Sequence, residues 1–424
     1  MNIHNSSLDK LALYGGHPVR TKPWPTYDKG NVILDDDDVS MVIDVIRSKR
    51  LYRYDNRPLH ETKVGQFEIE LKEYFQVQYA LAVSSGTAAI SLPLIALELP
   101  PNSLVGCPVY SFTATPSAII QAQMKPLLIE VDHNLHMDLV DLERKIKQMK
   151  ALVVVHMRGF PAPLLQIKEI ADKHGVPIIE DSVPALGHQL LGKHLGTYGT
   201  AGAFSTQSDK SINTGEGGFI LTNEKDIFTK CVILSGAYER LYEKHITAQE
   251  LSFNFLSLPV FNFRLDEIHG ALGLTQLKKL NTRLAVQAEN YAYVMEKIQH
   301  LKYLRPRGTW SNDVLPIGDN LLLQVYGSIK DCCWFANALT KEGVDTRALG
   351  DPDNANVRRF WDWAYLSEDK TKNNLTTLYP ESFKHIGSYI DLALSPTLEK
   401  DDLEDCVRAI KKVHDHYETK TSFE

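Results

Sequence analysis

Residues 151–181 read ALVVVHMRGFPAPLLQIKEIADKHGVPIIED, and this stretch decides the fold. It opens on an unbroken apolar run, Ala151 to Val155. Its periodicity then predicts a helix over Ile167 to His174, closed by Gly175. A second apolar run follows, Val176-Pro-Ile-Ile, ending in Glu180 and Asp181. A strand with one wet face alternates apolar and polar residues; these two runs do not alternate, so both of their faces are covered. Two such strands joined by a crossover that contains a helix make a parallel βαβ unit.

The same alternation extends outward in both directions. Upstream, YALAVSS leads into a helix over about Gly86 to Leu97, SLVGCPV into one near Ala114 to Gln123, and PLLIEVD follows; downstream, FILT is another strand. The expectation is an α/β domain with a mostly parallel sheet covered on both faces. Before it, Asp35 to Asp38 precede Val39, Val42, Ile43 and Ile46 at helical spacing. Negative charge at a helix start complements the dipole, so this run reads as a cap rather than a metal cluster. Val64, Phe67, Leu71, Tyr74 and Phe75 predict a second amphipathic helix. A long helical region spans Leu265 to Gln299, with Ile268, Leu272, Leu274, Leu277 and Leu280 on its buried side. LLLQVYG as a strand and helices over 331–342 and 401–416 complete a smaller α+β domain. The expected division is an N-terminal arm rich in Gly and Pro over residues 1–30, a large domain over 31–285 and a small C-terminal domain over 286–424.

Length and composition agree with such a molecule. The 424 residues are enough for two or three domains, and 43% hydrophobic with 23% charged residues is the balance of a globular, water-soluble chain. With 46 Lys and Arg against 53 Asp and Glu the net charge is -7, which disfavours nucleic acid and anionic membrane surfaces as partners. Five scattered cysteines without a CxxC pair argue against a structural zinc site and suit a reducing compartment. No apolar run reaches the roughly 20 residues of a membrane span, and no signal peptide is evident at the first residues, so the expected location is the cytoplasm.

Four segments fall at the carboxyl end of the expected sheet, where open α/β sheets bind ligands. Ser84-Ser85-Gly86-Thr87 joins a strand to a helix and offers backbone N–H groups and hydroxyls to an anion such as phosphate, although Ser-Gly-Thr is also an ordinary helix cap. Asp181, at the end of a buried strand, needs a cationic or hydrogen-bonding partner; a protonated heterocyclic nitrogen is one, a helix cap or structural ion pair another. Ala203 to Lys210, followed by Gly215-Glu-Gly-Gly218, holds a lysine on a glycine-rich loop, with Ser205 five residues before it. Lys210 can form a Schiff base with an aldehyde, provided that burial and nearby positive charge lower its pKa. Phe112, in the PVYSFTAT segment, offers an aromatic face, or is a core residue. An anion cradle, an aromatic plate, a strand-end Asp and a loop Lys in this order meet what pyridoxal phosphate requires.

These motifs carry a resemblance. ALAVSSGTAAI, CPVYSFTAT, VVVHMRG, IIEDS, GAFSTQSDK with GEGG, and FNFRLDEIHGALGLTQLKKL resemble the DegT/StrS family of pyridoxal-phosphate-dependent sugar and cyclitol aminotransferases, of the fold-type I superfamily. The resemblance runs from Gly15 to about Arg283. It implies that Lys210 carries the cofactor, that Asp181 pairs with the pyridine nitrogen, that Gly86, Thr87 and Ser205 bind the phosphate and that Phe112 stacks on the ring. It also implies that Asn262 reaches the phosphate of a neighbouring subunit, so that a homodimer shares its active sites. His156 is similar to a strand-end position near the pocket and reads as a buried structural histidine. The implied reaction is amino transfer from glutamate or glutamine to a keto-sugar, keto-cyclitol or related polyol. GGHPVRTKPWP, Arg53 to Asp55 and VVVHMRG are most similar to the branch acting on cyclitols such as scyllo-inosose, and FNFRLDEIHGALGLTQL also resembles transaminases of eight-carbon keto-sugar acids.

One departure stands out. Where the family reads E-D-A-A-Q-A-H, this chain has Glu180-Asp-Ser-Val-Pro-Ala-Leu186. Pro184 has no side-chain donor for the cofactor's ring oxygen, and Leu186 replaces a histidine. The alternatives are therefore a different pyridoxal-phosphate reaction on this scaffold, or a non-catalytic binding protein. Dehydratases of the family carry histidine in place of the lysine, and Lys210 counts against that version. The first 30 residues are too short for a helix-turn-helix domain. Substrate choice is expected to lie in the loops Leu51 to His60, Ser235 to His245 and Gly350 to Thr377.

Overall fold

The computed structural model describes residues 10–25, 33–311, 313–367 and 374–421; stretches 1–9 and 26–30 of the expected arm and 368–373 of the divergent loop lie outside them. The chain divides into two compact units. One comprises residues 28–129 and 137–283, the other residues 1–27, 130–136 and 284–424.

The first unit contains, in order, α1 (Asp36–Ser48), α2 (Lys63–Phe75), β1 (Tyr79–Val83), α3 (Gly86–Ala96), β2 (Leu104–Pro108), α4 (Ala114–Gln121), β3 (Lys125–Ile129), α5 (Leu139–Lys145), β4 (Ala151–Val155), α6 (Leu164–Lys173), β5 (Ile178–Asp181), a hairpin of β6 (Gln189–Leu190) and β7 (Lys193–His194), β8 (Ala201–Ser205), β9 (Gly218–Thr222), α7 (Lys225–Ser235) and α8 (Glu267–Lys278). The sheet order is β1-β9-β8-β5-β4-β2-β3. From β3 to β8 all neighbours pair in parallel, whereas β9 is antiparallel to both β8 and β1. Six of the seven strands therefore share one direction. Residues 206–217 contain no helix to carry the chain back across the sheet, so β9 returns antiparallel beside β8. Every residue of β4, β5, β8 and β9 is buried, as their unbroken apolar character demands.

The aspartate run is a cap. Asp35 accepts from the N–H groups of Asp37 and Asp38, and Asp38 reaches back to the N–H of Asp35 at 2.9 Å. Asp38 also accepts from Gln276 at 2.8 Å and Lys279 at 2.7 Å, and from Thr275. Burial pushes its carboxyl up, but the bonds from Gln276, Lys279 and Thr275 outweigh burial and bring it down to about 2. The apolar stripe of α1 is differently used: Val45 is buried, while Val39, Ile43 and Ile46 stay 39–53% exposed. That bare face is wide for a surface helix of a globular chain.

In the second unit, the remainder of α9 (Leu280–Ile298) is followed by β10 (Leu304–Pro306), β11 (Asn320–Val325), α10 (Ile329–Lys341), β12 (Thr346–Ala348), α11 (Leu375–Leu378), α12 (Pro380–Gly387), β13 (Tyr389–Ala393) and α13 (Lys400–Thr421). The antiparallel sheet β10-β11-β13-β12 packs its apolar face, with Leu321, Leu323, Ile390 and Leu392, against Phe335, Leu339, Ile410 and Val413 of α10 and α13. Residues 10–25, read from sequence as an extended arm, join this core. Arg20 pairs with Asp402 at 2.7 Å, and the fully buried Glu342 accepts from Ala12 N and Val19 N and pairs with Lys412 at 2.9 Å.

Candidate active site

Strand register builds the site. Gly218 pairs with Val83 on one side and Ser205 on the other, and Asp181 pairs with Ala203. The exits of β1, β8 and β5 and the entry of β9 therefore lie side by side on one sheet edge, with the exits of β4 and β2 beyond them. All of these residues belong to the first unit.

At the start of α3, the Ser85 side chain accepts from Ala88 N at 3.1 Å. The N–H groups of Gly86 and Thr87 precede the first helical acceptors and are available to an anion. A Cβ on Gly86 would lie 2.8 Å from Cβ of Ser205 and 3.3 Å from its Oγ, so the helix start and Ser205 touch. Ser205 Oγ accepts from Gln207 N at 3.3 Å, which leaves its proton to give to the same anion. Gly218 completes the cradle, because a Cβ there would sit 2.7 Å from the Ser85 carbonyl. A Gly86→Ala variant is expected to bind pyridoxal phosphate at least about tenfold more weakly, the worth of one lost hydrogen bond. Titration of cofactor absorbance, with circular dichroism as the folding control, measures it.

Adjacent carboxylates on β5 have separate jobs. Glu180, fully buried, accepts from the backbone N–H groups of Gly196 at 2.8 Å and of Tyr198 and Gly199 at 2.6 Å each. His156 Nε2 lies 3.3 Å from it, and His156 Nδ1 accepts from Ala162 N at 3.0 Å, so the imidazole is the Nε2–H tautomer donating to Glu180. Both His156 nitrogens are thus engaged in structure. Asp181 points the other way. Thr115 Oγ1 donates to its Oδ2 at 2.7 Å and Val183 N to its Oδ1 at 3.3 Å. Burial raises the Asp181 carboxyl above the ordinary range, more than the bonds from Thr115 and Val183 and the charge of Lys210 lower it. A buried carboxylate with that deficit of positive charge fits a protonated ring nitrogen.

Lys210 sits on a loop closed by Thr206 and Thr214, whose hydroxyls are 2.6 Å apart, and by Ser208 N donating to Gly215 O at 3.0 Å. Gly217 has φ +147°, and a Cβ there would strike Thr206 Oγ1 at 2.4 Å, so glycine is required. The lysine's surroundings differ from the expectation of burial and nearby positive charge. Its side chain is 26% exposed, and Nζ lies 3.0 Å from a carboxylate oxygen of Asp209.

Phe112, four residues beyond β2, is 46% exposed, which excludes the core role. Asn262 is exposed on a segment pinned by Phe261 N to Leu234 O (3.0 Å), Phe263 N to Ser235 O (2.8 Å) and Ser84 N to Phe263 O (2.9 Å). The contacts that gather Gly86, Ser205, Asp181 and Lys210 do not include it. Pro184 opens a turn over Val183–Ala185, where its missing N–H costs nothing, and Leu186 is buried. Sequence reasoning passed over Thr115 and Ser111; the signal was two hydroxyls four residues apart flanking a helix start.

Residues 32–411 match the DegT/DnrJ/EryC1/StrS aminotransferase family. The chain belongs to this family. It is accordingly a pyridoxal-phosphate-dependent aminotransferase of fold-type I. It is 30% identical over 294 residues to GDP-perosamine synthase of Escherichia coli O157:H7, covering 68% of this chain and 72% of that protein. It is 30% identical over 305 residues to L-glutamine:2-deoxy-scyllo-inosose aminotransferase of Streptoalloteichus tenebrarius, covering 70% of each. Among solved structures, Helicobacter pylori PseC, an aminotransferase in pseudaminic acid biosynthesis, matches with a TM-score of 0.77 at 21% identity, covering 93% of this chain and 100% of that one. Among the described residues, no helix is long and apolar enough to cross a membrane.

Proposed function

We propose that this aminotransferase moves an amino group from glutamate or glutamine to a ketone on a sugar, cyclitol or related polyol. The observation that carries the reading is the shared sheet edge on which the Gly86–Ser205 cradle, buried Asp181 and the Lys210 loop converge. The residues fit pyridoxal phosphate, which when bound supplies an electron-accepting ring for the negative charge that develops on a substrate carbon. Gly86 and Thr87 N–H and the Ser205 hydroxyl would hold its phosphate, and Phe112 would offer a face to its ring. Asp181 holds the proton on the ring nitrogen. Lys210 Nζ would hold the cofactor and would take and return the proton at the reacting carbon. Asp209 lies 3.0 Å from Lys210 Nζ.

The acceptor class follows the relatives' own substrates, among them 2-deoxy-scyllo-inosose for the Streptoalloteichus protein. A homodimer with shared sites accounts for two features at once: Asn262 is exposed on its own chain, and α1 leaves Val39, Ile43 and Ile46 bare. The five free cysteines fit a reducing compartment, and we assign the protein to the cytoplasm. The test is to incubate the cofactor-loaded protein with glutamate or glutamine and a panel of keto-cyclitols and nucleotide-linked keto-sugars, reading amine products by mass spectrometry. A new amine that depends on the donor is the expected result. Donor left unconsumed across the panel, or an acceptor that loses water instead of gaining nitrogen, would sink the reading.

A further inference from the structure

Ser111 and Thr115 are both fully buried, and neither is needed by the chemistry described so far. Ser111 lies just before α4 and Thr115 in its first turn, four residues on, so their hydroxyls meet at 2.6 Å. Thr115 Oγ1 is also 2.7 Å from Asp181 Oδ2, across from α4 to the end of β5. Each hydroxyl has one proton. A carboxylate only accepts, so the Thr115 proton goes to Asp181 and Thr115 Oγ1 is left to accept from Ser111. The direction is Ser111 to Thr115 to Asp181, and it reverses only when Asp181 is itself protonated. Three other groups face Asp181: the N–H of Val183 from the turn after β5, His156 from the end of β4 and Lys210 from the loop after β8. Glu180, its neighbour on β5, spends its oxygens on the N–H groups of Gly196, Tyr198 and Gly199. Among the bonds to Asp181 in the described residues, that of Thr115 is the short one and the one that comes from a side chain.

We propose that Thr115, backed by Ser111, is a positioning residue for the reaction: its hydroxyl fixes the rotation of the Asp181 carboxylate and holds it ionised, so that the cofactor's ring nitrogen meets a charged partner. This rests on the reading that the chain binds pyridoxal phosphate through Asp181. It gives the SFTAT segment two tasks, since Phe112 presents its ring face from the same turn that aims Thr115. The hydroxyl works against burial, which by itself favours the neutral carboxyl and weakens the grip on a protonated nitrogen.

The test is Thr115→Val, which keeps the shape and removes the donor; Ser111 then has the carbonyl of Phe112 at 3.1 Å as its acceptor and is not orphaned. In the loaded protein, the pH midpoint at which the bound cofactor's visible absorbance reports loss of the ring-nitrogen proton is expected to fall by about one unit, a tenfold change. The kcat should fall about tenfold with KM little changed, and Thr115→Ser should restore both. The protein without cofactor gives a second readout. Its stability falls as pH rises above the unfolded carboxyl value toward the folded one, because burial makes the folded chain hold the Asp181 proton more tightly. Thr115→Val raises the folded value further, so its melting temperature should drop more between pH 4 and pH 7 than that of the parent. Ser111→Ala, a milder change, should shift both readouts in the same direction by less. If neither variant moves the absorbance midpoint or the pH dependence of melting, the proposal is overturned. If the parent protein binds no pyridoxal phosphate, the functional reading fails instead, and the melting profiles still decide whether the hydroxyl controls the carboxylate.

Discussion

Lys210→Ala is expected to lower turnover by about 10⁴-fold or more, since proton transfer by a positioned side chain alone contributes about 10²- to 10⁴-fold and covalent attachment is lost as well. The variant should still bind pyridoxal phosphate reversibly, because the Gly86–Ser205 cradle and Asp181 do not depend on the lysine. Borohydride should fix cofactor to the parent chain and not to the variant. Retained turnover in Lys210→Ala would remove the lysine from the chemistry. The same variant tests the shared site. Asn262→Asp places a carboxylate against the phosphate that Asn262 is proposed to reach in the neighbouring subunit, and like charges there repel. Coexpressed in equal amounts, the two defective chains form mixed dimers in which one site carries neither fault, so about one quarter of all sites should regain activity. No recovery in verified mixed dimers would mean that each chain holds its own phosphate.

Asp181→Asn is expected to separate function from stability. Loss of the charged partner of the ring nitrogen should cost about 10²- to 10³-fold in kcat, the range for removing one preorganised electrostatic contact. The cofactor-free variant should nonetheless melt no lower than the parent at pH 7. The sign follows from burial, which raises the Asp181 carboxyl in the folded state. Below the unfolded value of 3.8 both states are protonated and the carboxyl makes no difference; above the folded value the buried charge is a full penalty. The melting advantage of Asp181→Asn should therefore be absent near pH 3.5 and grow as pH rises. An advantage independent of pH would show that the carboxylate is not strained by burial.

Much of this was legible in the sequence because it rests on local signals. The unbroken apolar runs at Ala151 to Val155 and Val176 to Ile179 announced strands covered on both faces, and Asp35 with Asp38 announced a helix start; the structure has both. What escaped notice was set by tertiary direction. Nothing local says that β9 turns back antiparallel, or that of two adjacent carboxylates Glu180 holds a loop while Asp181 faces the site. The period of α1 marks an apolar stripe without saying what covers it, and the structure buries Val45 rather than Val39 or Ile46. Lys210 was expected beside positive charge because its chemistry asks for a neutral amine, but its nearest charged neighbour is the preceding residue, Asp209. Thr115 was on the page in SFTAT, and its partner was 66 positions away.

The ladder that joins Val83, Gly218 and Ser205 also ties together distant parts of the chain. Its three contributors come from the first, last and next-to-last strands of the sheet in chain order, and β9 is the strip that binds β1 to the rest. That strand also brings Gly218 against the Ser85 carbonyl, so the cradle is complete only with β9 in place. During synthesis, a growing chain that ends before Gly218 lacks the strip that joins β1 to β8. The closure between β1 and β9 joins residues more than a hundred positions apart, and pairings of that kind are the slow ones to form.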